Sequence, residues 1–407
     1  MELDIKTLRR IEREQGGAYY LLDTEQFEAN YKELLAAFRK IYPNTQIAYS
    51  YKTNYTPRLC RLVDQLGGYA EVVSDMEYEI TRRLGIETSK VHLNGPVKDW
   101  ATAREIILGG GTVNLDDYSE AADIIRLAAE HPEKTIRIGL RCNFRINDGV
   151  TSRFGLDTTK PEFAQLVREL RQTGNIEISG LQCHFAARAL QTWAPRAEGM
   201  CRLADETATE ALEHIDLGGG LFGKMREELK AQFNSPIPTY EEYAREAATV
   251  IARHFGDREQ QPALFIEPGS ALVGDAMRFV APVRSIKDIR GKAIATLLGS
   301  VYNINPTLNG KNPPITVYSD HEGDRDGYRD LDFAGFTCIE SDYLYRGYNG
   351  PLAVGDLVVF ENVGSYSVVL KPPFILPNFP IVELRGGQTR VVKRKETFDD
   401  LFCTYVF

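Results

Sequence analysis

Four stretches of this chain end an apolar run on a residue able to do chemistry. Lys52 follows QIAYSY, His184 closes GLQCHF, Asp216-Leu217-Gly218-Gly219-Gly220 follows EHI, and Glu267-Pro268-Gly269 follows ALFI. A lysine at the mouth of a core is partly desolvated, so its pKa can fall and its amine can attack an aldehyde. Three glycines after a strand let the backbone close on a phosphate and point N–H groups at it. A carboxylate such as Glu267 can keep a pyridine nitrogen protonated, which makes the ring an electron sink. A neutral imidazole such as His184 can stack on a flat ring. Each residue has a plainer reading as well: a solvated lysine, a tight strand-to-helix turn, a capping glutamate, a satisfied core histidine.

These residues share strand ends, and the surrounding pattern says what positions them. Between Gln46 and Gly269 eight β-type runs alternate with helix-period segments: QIAYSYKTN, GYAEVVS, VHLNGPV, TVNLDDY, IRIGLRCN, IEISGLQCHF, EHIDLGGGL and ALFIEPG. Phe27, Tyr31, Leu34, Leu35 and Phe38 form a helical stripe, as do Phe163, Leu166, Val167 and Leu170, and Asp23 or Thr24 is placed to cap the first of these helices. Eight alternations without a break predict an α/β fold, a closed (β/α)8 TIM barrel over residues 24–275, with its chemistry at the C-terminal strand ends. No G-x-G-x-x-G follows the first strand, which argues against a dinucleotide site. After Ala276 the rhythm becomes β-rich, with RFVAPVRSI, KAIATLL, DLVVFENV, SYSVVL and FPIVELR between Gly, Pro and Asn clusters. Residues 276–407, together with 1–23 and their AYYLL run, are expected to form a C-terminal antiparallel β-barrel or sandwich domain. Asn309 to Gly335 reads as a loop that could cover a site.

The bulk figures narrow the partners. The 407 residues suit two domains, and a formal charge of −9 without a basic block disfavours nucleic acid and anionic membrane. The six cysteines form no C-x-x-C pair, so no zinc site, other metal site or disulfide framework is expected. With no apolar leader at MELDIKTLRR and no membrane-length apolar run, the expected location is a reducing cytoplasm.

Taken with A-Y-S-Y-K-T-N around Lys52, N-G-P-V-K ending at Lys98, S-R-F-G-L from Ser152, T-C-I-E-S-D around Cys338 and G-S-Y ending at Tyr366, the chain resembles the fold type III pyridoxal-phosphate decarboxylases. These include the diaminopimelate, ornithine/arginine and carboxynorspermidine enzymes, and the likeness runs from about Tyr19 to Tyr366. The resemblance implies that Lys52 holds pyridoxal 5'-phosphate as a Schiff base, that Glu267 pairs with the ring nitrogen and that His184 stacks on the ring. It implies phosphate binding by Gly218, Gly219, Gly220 and Tyr366, with Gly269 beside them. It also implies that Cys338 returns a proton to the α-carbon across the interface of a homodimer with shared active sites, and that Asn305, Glu340 and Asp342 lie at substrate-binding positions. A cysteine pKa near working pH suits that transfer.

Some positions depart from the family pattern. Ser270 stands where most relatives have an arginine after E-P-G. Asn305 and Asn309 replace the Arg and Tyr of R-P-x-L-Y, Ile339 and then Glu340 follow the cysteine, and Ala187 replaces a serine. Without arginines to grip a distal carboxylate, diaminopimelate itself is disfavoured. The expected substrate is another diamino acid, a carboxylated polyamine, or a siderophore or other secondary-metabolite intermediate. Two alternatives compete: a barrel-type amino-acid racemase, which needs a tyrosine base opposite the lysine, and a non-catalytic homologue with a binding or regulatory role. Retention of Lys52, Cys338 and the triple glycine favours decarboxylation.

Overall fold

The computed structural model describes residues 3–146, 148–207, 212–323 and 325–407. The chain divides into two compact units, one of Asn30–Phe222 and Pro238–Ala271, the other of Met1–Ala29, Gly223–Ile237 and Leu272–Phe407.

Strands are numbered along the chain, beginning with β1 (Tyr19–Asp23) of the second unit. The first unit holds β2 (Thr45–Ser50), β3 (Tyr69–Val72), β4 (Val91–Leu93), β5 (Thr112–Leu115), β6 (Ile136–Asn143), the short β7 (Leu156–Asp157), β8 (Ile176–Gln182), β9 (His214–Asp216) and β10 (Ala263–Ile266). All pairings among them are parallel, and the β5–β6 pairing closes the sheet into an eight-stranded ring, with β7 alongside β6. All eight β-type runs are barrel strands. Enclosed on both faces, they are nearly continuous in burial, as parallel strands under helices must be.

The predicted stripes are the buried faces of helices. In Pro161–Gln172 the buried residues are Phe163, Leu166, Val167 and Leu170. In Thr24–Arg39 they include Phe27, Tyr31, Leu34 and Phe38, while Leu35 is half-buried. The cap is Asp23, whose carboxylate accepts from Gln26 N at 2.9 Å. The barrel interior is polar: Glu71, His92, Asn94, Asn114, Arg141, Gln182, His214, Asp216 and Glu267 are all buried. A core of that kind needs its hydrogen bonds assigned.

The second unit is a nine-stranded sheet of β1 with β11 (Met277–Ile289), β12 (Lys292–Leu297), β13 (Ile315–Tyr318), β14 (Asp326–Ala334), β15 (Tyr343–Leu352), β16 (Leu357–Phe360), β17 (Ile381–Arg385) and β18 (Gln388–Lys393). It differs from the sequence expectation in three ways. The sheet is mixed, because β1 runs parallel to β17 and β12 parallel to β14, although the other pairs are antiparallel. The stretch 309–335 is not simply a loop, since it contains β13, paired with β16, and all of β14, paired with β15; its Asp324 lies outside the described residues. Cross-strand partners override the weak β-propensity of those Gly- and Asp-rich segments. SYSVVL is turn rather than strand: Tyr366 has φ +64°, Leu370 N returns to Tyr366 O at 3.0 Å, and Ser367 Oγ donates to Val363 O. Among the described residues no helix is long and apolar enough to cross a membrane.

Candidate active site

Lys52 lies in a single 3₁₀ turn, Tyr51–Thr53, that continues directly from β2. The turn is held from the side by the β10 loop. A Cβ on Gly269 would fall 2.0 Å from Thr53 Oγ1, so only glycine lets the two segments meet. A third of the Lys52 side chain is exposed, and its Nζ donates to Glu71, which is 1% exposed and also accepts from Ser50 Oγ at 2.5 Å. Burial works against the lysine's charge, but Glu71 and then Glu267 outweigh it, so the Lys52 pKa is raised. The depressed amine pKa expected from burial alone is therefore corrected: the adjacent carboxylates reverse the sign.

Asn94 links the two carboxylates. Its Nδ2 donates to Glu267 Oε1 and lies 3.4 Å from Glu71 Oε1, while its Oδ1 accepts from Asn114 Nδ2 at 2.6 Å. Arg141 Nη1 holds Asn94 O at 3.0 Å and Asp116 at 2.8 Å. Gln182 Nε2 is 3.3 Å from each Glu267 oxygen. Burial first, then Asp216 and Glu71, push Glu267 up to about 8, so it can exchange a proton with a basic ring nitrogen near neutral pH. Burial likewise pushes Asp216 up to about 6 and His92 down to about 4.

His184 is the half-exposed member. Burial lowers its pKa, and its Nδ1 accepts from Gly219 N at 3.0 Å, so the neutral ring carries its proton on Nε2. The glycine loop behind it has φ +70° at Gly218 and +93° at Gly220. Gly218 N donates to Asp216 Oδ1 at 2.8 Å and Gly219 N to His184, so those two N–H groups are already engaged. Among the described residues the N–H groups of Gly220, Leu221 and Gly269 have no protein partner. These donors are open to an anion.

The barrel thus assembles Lys52, His184, Gly218, Gly219, Gly220, Glu267 and Gly269. Asn305, Cys338, Glu340, Asp342 and Tyr366 belong to the β unit. There Cys338 is exposed on the bend between β14 and β15, Glu340 is exposed, and Asn305 is half-buried with its Nδ2 3.3 Å from Asn309 Oδ1. Asp342 is 3% exposed and spent inward: Oδ1 accepts from Val301 N and Ser300 Oγ at 2.7 and 3.0 Å, Oδ2 from Thr337 Oγ1 and Thr337 N at 2.6 and 3.3 Å. Its expected place as a substrate ligand is corrected to that of an anchor for the cysteine bend. Lys98 is also structural, pairing with Glu120 at 2.8 Å.

Glu71, Asn94, Arg141 and Gln182 were not singled out by sequence reasoning as chemistry-bearing. Glu71 had a signal, a carboxylate inside the apolar run GYAEVVS.

An amine beside paired carboxylates, a buried acid near its titration point, a neutral imidazole and free backbone N–H groups suit a phosphorylated pyridine aldehyde. Residues 28–274 match the family model described as pyridoxal-dependent decarboxylase, pyridoxal binding domain.

The chain belongs to the pyridoxal-dependent decarboxylases.

Pyridoxal phosphate is accordingly its cofactor, and its reaction class is that of a carboxy-lyase. Along nearly its whole length it is similar to diaminopimelate decarboxylases. The Methanocaldococcus jannaschii protein is 25% identical, with 95% of this chain and 91% of that one covered. The Methanothermobacter thermautotrophicus protein is 26% identical with the same coverage. Among solved structures, the M. jannaschii decarboxylase in complex with L-lysine superposes with a TM-score of 0.85 at 21% identity, covering 98% of this chain and 94% of that one. A lysine decarboxylase from Selenomonas ruminantium gives 0.77 at 22% identity, covering 95% and 97%. These likenesses extend the shared fold through the β unit.

Proposed function

We propose that this protein removes the α-carboxylate of a diamino acid, or of a close derivative carrying a distal amine, and that it works as a cytoplasmic homodimer with shared sites. The observation that carries the reading is the joining of Lys52, Glu71, Asn94 and Glu267 at the strand ends of a pyridoxal-binding barrel. When bound, the cofactor supplies an aldehyde for the substrate amine and a sink for the electron pair left by CO2.

The chain's own residues do the rest. Lys52 would hold the cofactor's aldehyde carbon, and Glu71, which accepts from its Nζ, would take and return protons there. Glu267, fixed by Asn94 and Gln182, keeps the ring nitrogen protonated. His184 offers a neutral flat face. Gly220 and Leu221 N–H, with Gly218, Gly219 and Gly269, would hold the phosphate, for which Tyr366 is a further ligand by its resemblance to the family pattern. Cys338 of the partner subunit delivers a proton to the α-carbon, an acid–base step worth about 10²- to 10⁴-fold. Asn305 and Glu340 face the substrate tail. The names of the relatives support a diamino acid, while Asn305 and Asn309, neutral where a distal carboxylate calls for a cation, favour a tail without one.

The test is a cofactor absorption spectrum with Lys52→Ala beside it, followed by CO2 release from diaminopimelate, lysine, ornithine and a carboxylated polyamine. A visible band lost in the variant, and fastest CO2 release from an acid without a distal carboxylate, are expected. Fastest turnover of diaminopimelate would overturn the tail assignment, and racemised product without CO2 would overturn the reaction. Cys338→Ala should slow turnover while leaving the band intact.

A further inference from the structure

Arg196 is completely buried within the helix Trp193–Thr207, yet among the described residues no carboxylate forms an ion pair with it. Its guanidinium donates instead to carbonyls: Nη1 to Gly219 O at 2.8 Å, and Nη2 to Phe185 O at 3.2 Å and to Ala187 O. The Trp193 ring lies 4.5 Å from its Cζ. A buried cation without a counter-ion is costly, and dipoles offset only part of that cost. The side chain stays charged at neutral pH, although burial lowers its pKa to about 10.

The three carbonyls belong to the glycine loop after β9 and to the segment after His184. In a trans peptide the C=O and the following N–H point in opposite directions. Turning the carbonyls of Gly219, Phe185 and Ala187 onto Arg196 therefore turns the N–H groups of Gly220, Ala186 and Arg188 away from it. Among the described residues those three N–H groups have no protein partner. The two segments also touch: a Cβ on Gly220 would lie 2.9 Å from Ala187 O and 3.5 Å from Arg196 Nη2. The result is a set of open N–H groups on loops backed by one buried positive charge, a combination that suits a multiply charged oxyanion.

We propose that Arg196 is the buried counter-charge and positioning residue of the phosphate cradle, and that it makes the protein discriminate phosphorylated from unphosphorylated cofactor. The proposal rests on the cofactor-site reading above. It assigns the charge-balancing role to one cation behind the backbone. Arg196 touches no reacting atom and acts through the loops it orients.

The experiment uses apoprotein of wild type, Arg196→Met and Arg196→Lys, titrated with pyridoxal phosphate and with pyridoxal. In wild type the phosphorylated ligand should bind far more tightly. In Arg196→Met that preference should fall by about 10-fold or more, with pyridoxal affinity nearly unchanged, and Arg196→Lys should retain part of it. Equal weakening of both ligands would mean that Arg196 only scaffolds the loops, and would overturn the proposal. If Arg196→Met does not fold, the wild-type apoprotein titrated with inorganic phosphate decides. Saturable stabilisation displaced by pyridoxal phosphate supports the cradle, and no stabilisation refutes it. Wild type that takes up neither pyridoxal ligand would instead bring down the cofactor-site reading and, with it, this proposal.

Discussion

Replacing Asp342 by alanine separates an anchor from a substrate contact. The carboxylate accepts four hydrogen bonds, two from the backbone N–H groups of Val301 and Thr337 and two from the hydroxyls of Ser300 and Thr337. The hydroxyls can rotate to new partners, whereas the N–H groups cannot. A buried donor left unsatisfied costs about 1–3 kcal/mol, so the two N–H groups together place the loss near 3–5 kcal/mol once the small cavity is included. Asp342→Asn keeps one acceptor oxygen and turns the other position into a donor facing donors. Its loss should be about half as large or somewhat more. Denaturant unfolding of the apoprotein, followed with probes in each unit because a two-unit chain need not unfold in one step, measures both. The reasoning fails if Asp342→Ala unfolds at the wild-type midpoint while KM rises, since that pattern belongs to a residue spent on substrate.

Three further outcomes follow from charge and burial. Because Glu71 and Glu267 hold Lys52 protonated, Glu71→Gln lowers the lysine pKa, and the pH at which apoprotein begins to capture pyridoxal moves down; an unchanged or raised midpoint contradicts the ion-pair assignment. Burial pushes Glu77 up to about 7 from its ordinary 4.5, so the folded state holds a proton there that the unfolded state has lost. Its contribution is complete below about pH 4.5 and is lost as pH rises through 7, on the order of 3 kcal/mol, and Glu77→Gln should flatten this slope in melting curves across that range. Lys371 is the opposite case. Burial, reinforced by Lys393 and opposed by Glu396, pushes it down to about 7 from 10.5. The unfolded chain then binds the extra proton between those values, so stability rises with pH, and Lys371→Met should remove the rise.

The barrel was legible because each strand is enclosed on both faces and so appears as an apolar run. Lys52, His184 and Glu267 could be singled out because each follows an apolar run, and the fold places all three just beyond barrel strands. Residues such as Asn94, Arg141 and Gln182 were harder to see. Arg141 and Gln182 are buried within strands and Asn94 directly follows one, and a polar residue there has the same appearance whether it serves the site or merely fills a bond. The β unit was read less well because its pairing is long-range. Asp326 finds Leu352 and Ile315 finds Phe360 across long stretches of chain, and neither partner is written in local composition. Asp342 was assigned by its neighbour Cys338, and only the fold shows that its oxygens are already filled.

The pairing of β1 has a consequence for synthesis. Tyr19 to Leu22 are wholly buried, and the strand is flanked by β11 on one side and β17 on the other, with Tyr20 opposite Phe279 and Ile381. A nascent chain therefore carries an apolar strand with both edges bare until about 260 more residues have been made, and with one edge bare for about 100 beyond that. At about 5–20 residues per second the whole interval is roughly 20–70 s. Over roughly the last third of it the barrel segment is already complete and free to fold. The strand is thus translated before the whole barrel segment and satisfied only after it, which makes it the segment a ribosome-associated chaperone would most usefully cover.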